Sequence, residues 1–173
     1  MTVLVAFGLA RNADRGTSAG KPAGPPPPIT VSAPPSDAAA EGPCAQVLSA
    51  LPVQLGQLAP RVVHTTPDSP NVVAWGDPAV VLRCGVPRPA AFVPTSDVYN
   101  VGNVYWLAVK QKGATVWTVI DRAVYVEVTV PEQQPFQPLP LLGKAIASKL
   151  KPICAVPDDQ TIPPQNRLCV NRK

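Results

Sequence analysis

With 173 residues, 46% of them apolar, the chain is long enough to bury one real core and too short for two comfortable domains. Its 24 prolines lie far above the usual ~5%, and its charged share of 15% lies below the usual rough quarter, so much of the chain must be loop, edge or extended spacer. The net charge of +4 is mildly basic but scattered, with no dense basic run and no aromatic interleaving; this excludes a nucleic-acid module and favours, beyond solubility, anionic partners such as wall polymers or lipid headgroups.

Val3 to Ala10 form an apolar run that stops at Arg11. The run is shorter than the ~20 residues a spanning helix needs, and no positive region precedes it as in a signal peptide. Residues 1–15 are therefore expected to be the remnant of an export signal or membrane anchor whose start lies upstream. Arg11 and Arg15 oppose that orientation under the positive-inside rule. Residues 16–43 are rich in Pro, Ala, Gly and Ser around Pro25-Pro26-Pro27-Pro28. Such a stretch cannot bury enough apolar area to offset its ordering entropy, and it reads as a disordered, extended linker. A polyproline ligand for an SH3-like partner is the weaker alternative.

A single α+β domain is expected over 44–173. Val47, Leu48 and Leu51 place a helix over Ala45–Leu51, ended by Pro52, with Leu55 and Leu58 adding a possible second turn. Arg61–Thr65 reads as a short strand, followed by turn chemistry in Pro67-Asp68-Ser69-Pro70-Asn71. Val72–Trp75 and Ala79–Val86 read as strands around a Gly76-Asp77-Pro78 turn. Val104–Gln111, Ala114–Ile120 and Ala123–Val130 are β-rich runs joined by two-residue connections, which predicts a three-stranded antiparallel meander. In the last run Val124, Val126, Val128 and Val130 alternate with Tyr125, Glu127 and Thr129, giving one core face and one wet face. Leu139–Leu150 fits an amphipathic helix that covers the apolar face. The predicted fold is a mostly antiparallel sheet packed by two short amphipathic helices and stabilised by disulfides.

The four cysteines, Cys44, Cys84, Cys154 and Cys169, are even in number. No C-x-x-C occurs and His64 is the sole histidine, so no zinc pattern exists; two disulfides in an oxidising compartment are expected. Three connectivities are open. Cys44–Cys84 with Cys154–Cys169 is favoured because each pair joins segments able to lie close. The second would clip a Pro-rich tail through a loop of about fifteen residues, worth roughly 3 kcal/mol.

Arg83 sits inside an apolar strand and needs a partner, since an unpaired buried charge is very unfavourable. Asp77, another carboxylate or backbone carbonyls are the structural candidates. The functional alternative is an anion pocket shared with Arg88 and Arg122, because guanidinium forks match phosphate and carboxylate. Asp77 reads as a turn residue, with binding as its alternative. Trp75, Trp106 and Trp117 read as core, although Trp106 and Trp117, on adjacent strands, offer a groove for sugar or lipid. The sharpest catalytic hypothesis is a Cys84 nucleophile activated by His64, with Arg83 or Arg88 on the oxyanion. No G-x-S-x-G, H-E-x-x-H, G-x-G-x-x-G or phosphate loop is present. The sequence thus predicts no cofactor and no metal.

Trp75-Gly76-Asp77-Pro78, Val80 through Val86 and Arg88-Pro89 resemble the corresponding motif of an actinobacterial, mycobacterial-type family of exported or membrane-anchored proteins of unknown function. The likeness extends to Cys44 with its leucine-rich helix, Asn103-Val104-Tyr105-Trp106, and Arg122 through Val128. The resemblance implies a cell-envelope protein with an N-terminal membrane segment and no established activity. Together these readings predict an extracytoplasmic, non-catalytic binding or accessory module whose partner is an envelope protein or an anionic wall component. A small exported thiol enzyme using Cys84 and His64 is the alternative, and a purely structural assembly factor is a third.

Overall fold

The computed structural model describes residues 25–134 and 138–154. The chain runs β1 (Ile29–Ser32), α1 (Ala38–Ala50), β2 (Pro60–Arg61), β3 (Val63–Thr66), β4 (Val72–Trp75) and β5 (Val80–Val86). It continues through β6 (Val98–Val101), β7 (Val104–Gln111), β8 (Ala114–Val119), β9 (Tyr125–Pro131) and α2 (Pro138–Lys149). Strands β2 to β9, β3 excepted, form a seven-stranded sheet in the order β2-β4-β5-β9-β8-β7-β6, while β1 and β3 form a separate two-stranded sheet. Every pairing in the large sheet is antiparallel. The α+β class and the predicted pair of helices are present.

The alternation in β9 organises the molecule. Val126, Val128 and Val130 point to one face with Leu82 and Cys84 of β5 opposite them across the ladder. α1 and α2 cover that face, and Cys44, Val47, Leu139, Leu142 and Ile146 complete a single apolar core. On the far face Phe92, Leu107 and Ile120 make a smaller cluster. It exists because β5 sits in the middle of the sheet and β6 at its edge, so the connecting residues 87–97 lie against that face. Both faces thus carry apolar burial, with very different cover.

The meander is longer than the sequence predicts. β6 pairs with β7 through a two-residue turn in which Gly102 and Asn103 both have φ 65°. That backbone is the type I′ hairpin turn, which Gly and Asn accept at little steric penalty. The predicted second helical turn at Leu55 and Leu58 is instead a tight β-bridge between those two residues.

The largest difference lies before Cys44. The stretch 16–43 reads as spacer, yet its part within the described residues holds β1 and the first half of α1. Asp37 caps the helix by accepting a hydrogen bond from the Ala39 backbone N–H at 2.9 Å, so α1 starts well upstream of Ala45. Pro43 lies inside the helix, where it removes one backbone donor. The helix persists because its start is capped by Asp37 and its middle is fixed by the buried Cys44. Residues 1–15, 16–24 and the expected tail clip at Cys169 lie outside the described residues.

α2 docks on the β6–β7 turn by backbone contact. A Cβ on Gly143 would fall 2.5 Å from the Val101 carbonyl oxygen and 3.0 Å from Gly102 Cα. Neither neighbour can rotate away. Gly143→Ala is therefore expected to lower stability by about 1–3 kcal/mol. Gly42→Ala, inside α1 with nothing within 4 Å of the new Cβ, is expected to raise it by about 0.5–1 kcal/mol. Urea unfolding of the two variants under non-reducing conditions checks the opposite signs.

Candidate functional site

β5 carries two of the residues singled out by the sequence, and its pleat sends them to opposite faces. Cys84 points to the helices and is bonded to Cys44, with both residues fully buried. The approach is made possible by a bulge: the β5–β9 register shifts between Cys84 and Val86, where Gly85 adopts φ +85°. A Cβ there would meet Ala40 Cβ at 3.3 Å and the Cys44 sulfur at 3.6 Å. The thiol-enzyme hypothesis is corrected by this bond. Cys84 has no thiol, and His64 lies exposed on β3, in the other sheet. Cys154 is also disulfide-bonded and exposed; its expected partner Cys169 lies outside the described residues.

Arg83, on the far face, is directly opposite Glu127 in the β5–β9 register. Its Nη2 and Nε donate to one Glu127 carboxylate oxygen at 2.6 and 3.0 Å, and Nη1 donates to the Ser32 carbonyl at 3.4 Å. The predicted need for a partner is met, but by Glu127 rather than Asp77. Asp77 accepts instead from Arg61 Nη1 at 2.8 Å. Arg61 also donates to the Gly76 carbonyl and, through Nε, to the Pro27 carbonyl at 3.0 Å. Two ion pairs thus present guanidinium groups to the backbone of the segment preceding α1.

The remaining arginines do not join Arg83. Arg88 stacks over the Phe92 ring, 5.1 Å from its centroid, and donates to the Phe92 carbonyl. Arg122 is 4% exposed and Asp121 1% exposed. The two form a short ion pair, while Arg122 Nη2 donates to the Asn103 carbonyl at 2.6 Å. Asp121 further accepts from the Tyr105 N–H at 3.0 Å, and its carbonyl accepts from the Ile153 N–H at 2.9 Å. This pair ties the β6–β7 turn, the start of β7 and the residues after α2 to one point. Arg83, Arg88 and Arg122 therefore serve three separate places and form no common anion pocket. Arg122 Nε has no partner among the described residues.

Trp106 and Trp117 share the helix-covered face by register. Trp106 is fully buried and donates from Nε1 to the Val101 carbonyl at 3.0 Å, so it is a core residue. Trp117 is half-buried and meets Tyr99 edge to face at 5.6 Å. The pair that the sequence offers as a groove is thus divided between core and surface. Among the described residues no cluster of His, Cys, Asp and Glu has the makings of a metal site. Among them, too, no helix is long and apolar enough to cross a membrane.

One open feature lies at the β2–β4 edge, where the sequence predicts no candidate site. β2 covers only Ala74 and Trp75 of β4. Beside the uncovered part, a cavity of about 300 Å³ is lined by Leu48 of α1, Leu51 and Pro52 just after it, Val53, Val72 and Val73, among others. Trp75 forms its floor and anchors its rim, donating from Nε1 to the Pro52 and Val53 carbonyls at 3.3 and 3.1 Å. That anchor turns Val53 outward, 80% exposed, and Val62 nearby is 59% exposed. Arg61, already held by Asp77, also lines the recess; the walls otherwise offer apolar contact. The only hint in the sequence is the clustering of valines around Trp75, which is equally a core signature.

The buried Asp121–Arg122 pair makes a sharp prediction. Asp121→Ala strands a buried guanidinium and the Tyr105 N–H donor, and is expected to lower stability by about 3–5 kcal/mol. Arg88→Ala, which among the described residues removes a carbonyl bond and a ring contact without baring a buried charge, is expected to lose less than Asp121→Ala, about 1–2 kcal/mol. Denaturant midpoints of the two variants check the ordering.

Comparison with curated proteins returned no match, and comparison with solved structures returned none. Against family models, residues 1–153 match the family whose description is "Protein of unknown function (DUF3515)". The match takes in β1 to β9, α1, α2, the Cys44–Cys84 bond and the Arg61–Asp77 and Arg83–Glu127 pairs. This chain belongs to the DUF3515 family of proteins of unknown function.

Proposed function

We propose that this chain is an extracytoplasmic, non-catalytic binding or accessory module of the actinobacterial cell envelope, and that its partner is another envelope protein. One observation carries the choice of partner: the apolar cavity beside β4, with Val53 fixed outward at 80% exposure. An exposed valine beside an apolar recess resembles the anchored centre of a protein interface more than a polymer-binding surface. The buried disulfide supports the compartment, since such bonds persist in oxidising surroundings.

An anionic wall component is the weaker partner. Arg61, Arg83, Arg88 and Arg122 each have an internal partner, so the fork geometry that recognises phosphate or carboxylate is already engaged. The exposed lysines, Lys110, Lys112, Lys144, Lys149 and Lys151, remain as diffuse positive charge. In this proposal the N-terminal apolar segment contributes a membrane tether or export signal, and the folded part works outside the bilayer.

Photo-crosslinking in intact envelopes tests the proposal. A crosslinker at position 53 is expected to give one discrete protein adduct that a crosslinker at position 112, on the β7–β8 turn, does not give. A Val53→Asp change in the same chain is expected to leave folding intact and to abolish an adduct formed from position 62. Equal labelling from positions 53 and 112, or adducts with glycan alone, would contradict it.

A further inference from the structure

β1 is held unlike any other strand. It pairs only with β3, in parallel register from Ile29↔Val63 to Ser32↔Thr66. None of its residues belongs to either apolar cluster. Among the described residues, the hydrogen bonds that hold segment 27–33 all run through its backbone. The Ile29 N–H donates to the Val62 carbonyl at 3.0 Å and the Ala33 N–H to the Thr66 carbonyl at 3.3 Å. Arg61 takes the Pro27 carbonyl and Arg83 the Ser32 carbonyl, at 3.0 and 3.4 Å.

The groups that receive this segment are set in place without it. Arg61 is oriented by Asp77 and the Gly76 carbonyl, and Arg83 by Glu127. α1 is capped by Asp37, downstream of the segment. Between β1 and that cap lies Ala33-Pro34-Pro35-Ser36, a stiff connector whose prolines favour an extended path. Removing β1 would therefore open no core cavity and unseat no helix. It would bare the β3 edge between two oriented guanidinium groups.

We propose that the β3 edge, with Arg61 and Arg83, is an acceptor groove for an extended strand, and that its exchange partner is segment 27–33 of a second copy of this chain. Strand exchange reproduces every cis bond in trans, so the second copy is complementary by construction. The two occupancies then differ in connector geometry and chain concentration. Each copy donates β1 and accepts β1, and the two grooves are related by a two-fold axis. The groove shares Arg61 and Val63 with the lining of the β4-edge cleft, but strand exchange does not require that cleft to be occupied.

The test uses the full chain and a Val31→Pro variant. The Ile29 and Ala33 N–H groups both face β3, so by parallel-ladder alternation Val31 does too, and proline there removes a donor. Sedimentation across a concentration series is expected to show a wild-type dimer that Val31→Pro weakens at least about tenfold, with thermal unfolding of the monomer nearly unchanged. A labelled synthetic peptide of residues 25–36 is then expected to bind folded Val31→Pro and to be displaced by excess unlabelled peptide. Four results would each overturn the proposal: a wild-type chain that stays monomeric throughout, a dimer that Val31→Pro leaves intact, a Val31→Pro chain that does not fold, or a folded one that ignores the peptide.

Discussion

The Cys44–Cys84 bond is the constraint on which the rest of the molecule depends. It joins the middle of α1 to the middle of β5, a central strand, and lies wholly in the core. At a sequence separation of 40 it closes a loop worth about 4 kcal/mol in the chain-entropy model. Its geometry rests on Gly85, whose positive φ makes the bulge and whose missing side chain lets Ala40 and Cys44 approach. With α1 fixed there, Val47 and Leu48 fall on the sheet, and the chain leaving the helix at Pro52 reaches Trp75. The cavity beside β4 is a consequence of that docking. The same bond removes Cys84 from chemistry.

Polar stabilisation is divided among three sites, each built on an arginine and a carboxylate. Arg122 and Asp121, both nearly inaccessible, gather the β6–β7 turn, β7 and the residues after α2. Arg83–Glu127 and Arg61–Asp77 lie nearer solvent and spend their spare donors on backbone carbonyls of the N-terminal segment. Buried pairs of the first kind fix geometry more than they add stability. The outer two act as clasps, converting a proline-rich stretch into an ordered strand at the edge of the domain.

Much of this was legible in the sequence because it is local. The valine alternation of β9, the two-residue β7–β8 connection and the leucine spacing of α2 are short-range patterns, and each became the element it predicts. The β8–β9 connection, predicted as two residues, spans 120–124 because Asp121 and Arg122 are drawn into a buried ion pair. The even cysteine count pointed to disulfides, and the Cys44–Cys84 bond is present. What was not legible depends on register and tertiary neighbours. Arg83 meets Glu127 across 44 residues, through a pairing of β5 with β9 that no local signal encodes. β6 is only four residues long, and its best marker is the Gly102-Asn103 turn that follows it. The start of α1 was hidden by the spacer-like composition around it, although Asp37 followed by three alanines is a cap signal in plain view. The exposure of Val53 follows from two hydrogen bonds to a distant tryptophan and has no sequence signature.

Non-reducing peptide mapping of the full chain, produced in an oxidising compartment, is the decisive measurement. A Cys44–Cys84 cross-linked peptide is expected, with no labelling of either cysteine by a thiol reagent until the protein is both unfolded and reduced. A Cys84 thiol that labels in the native protein would contradict this expectation. The docking of α1, the cleft at β4 and the non-catalytic reading would then fall together.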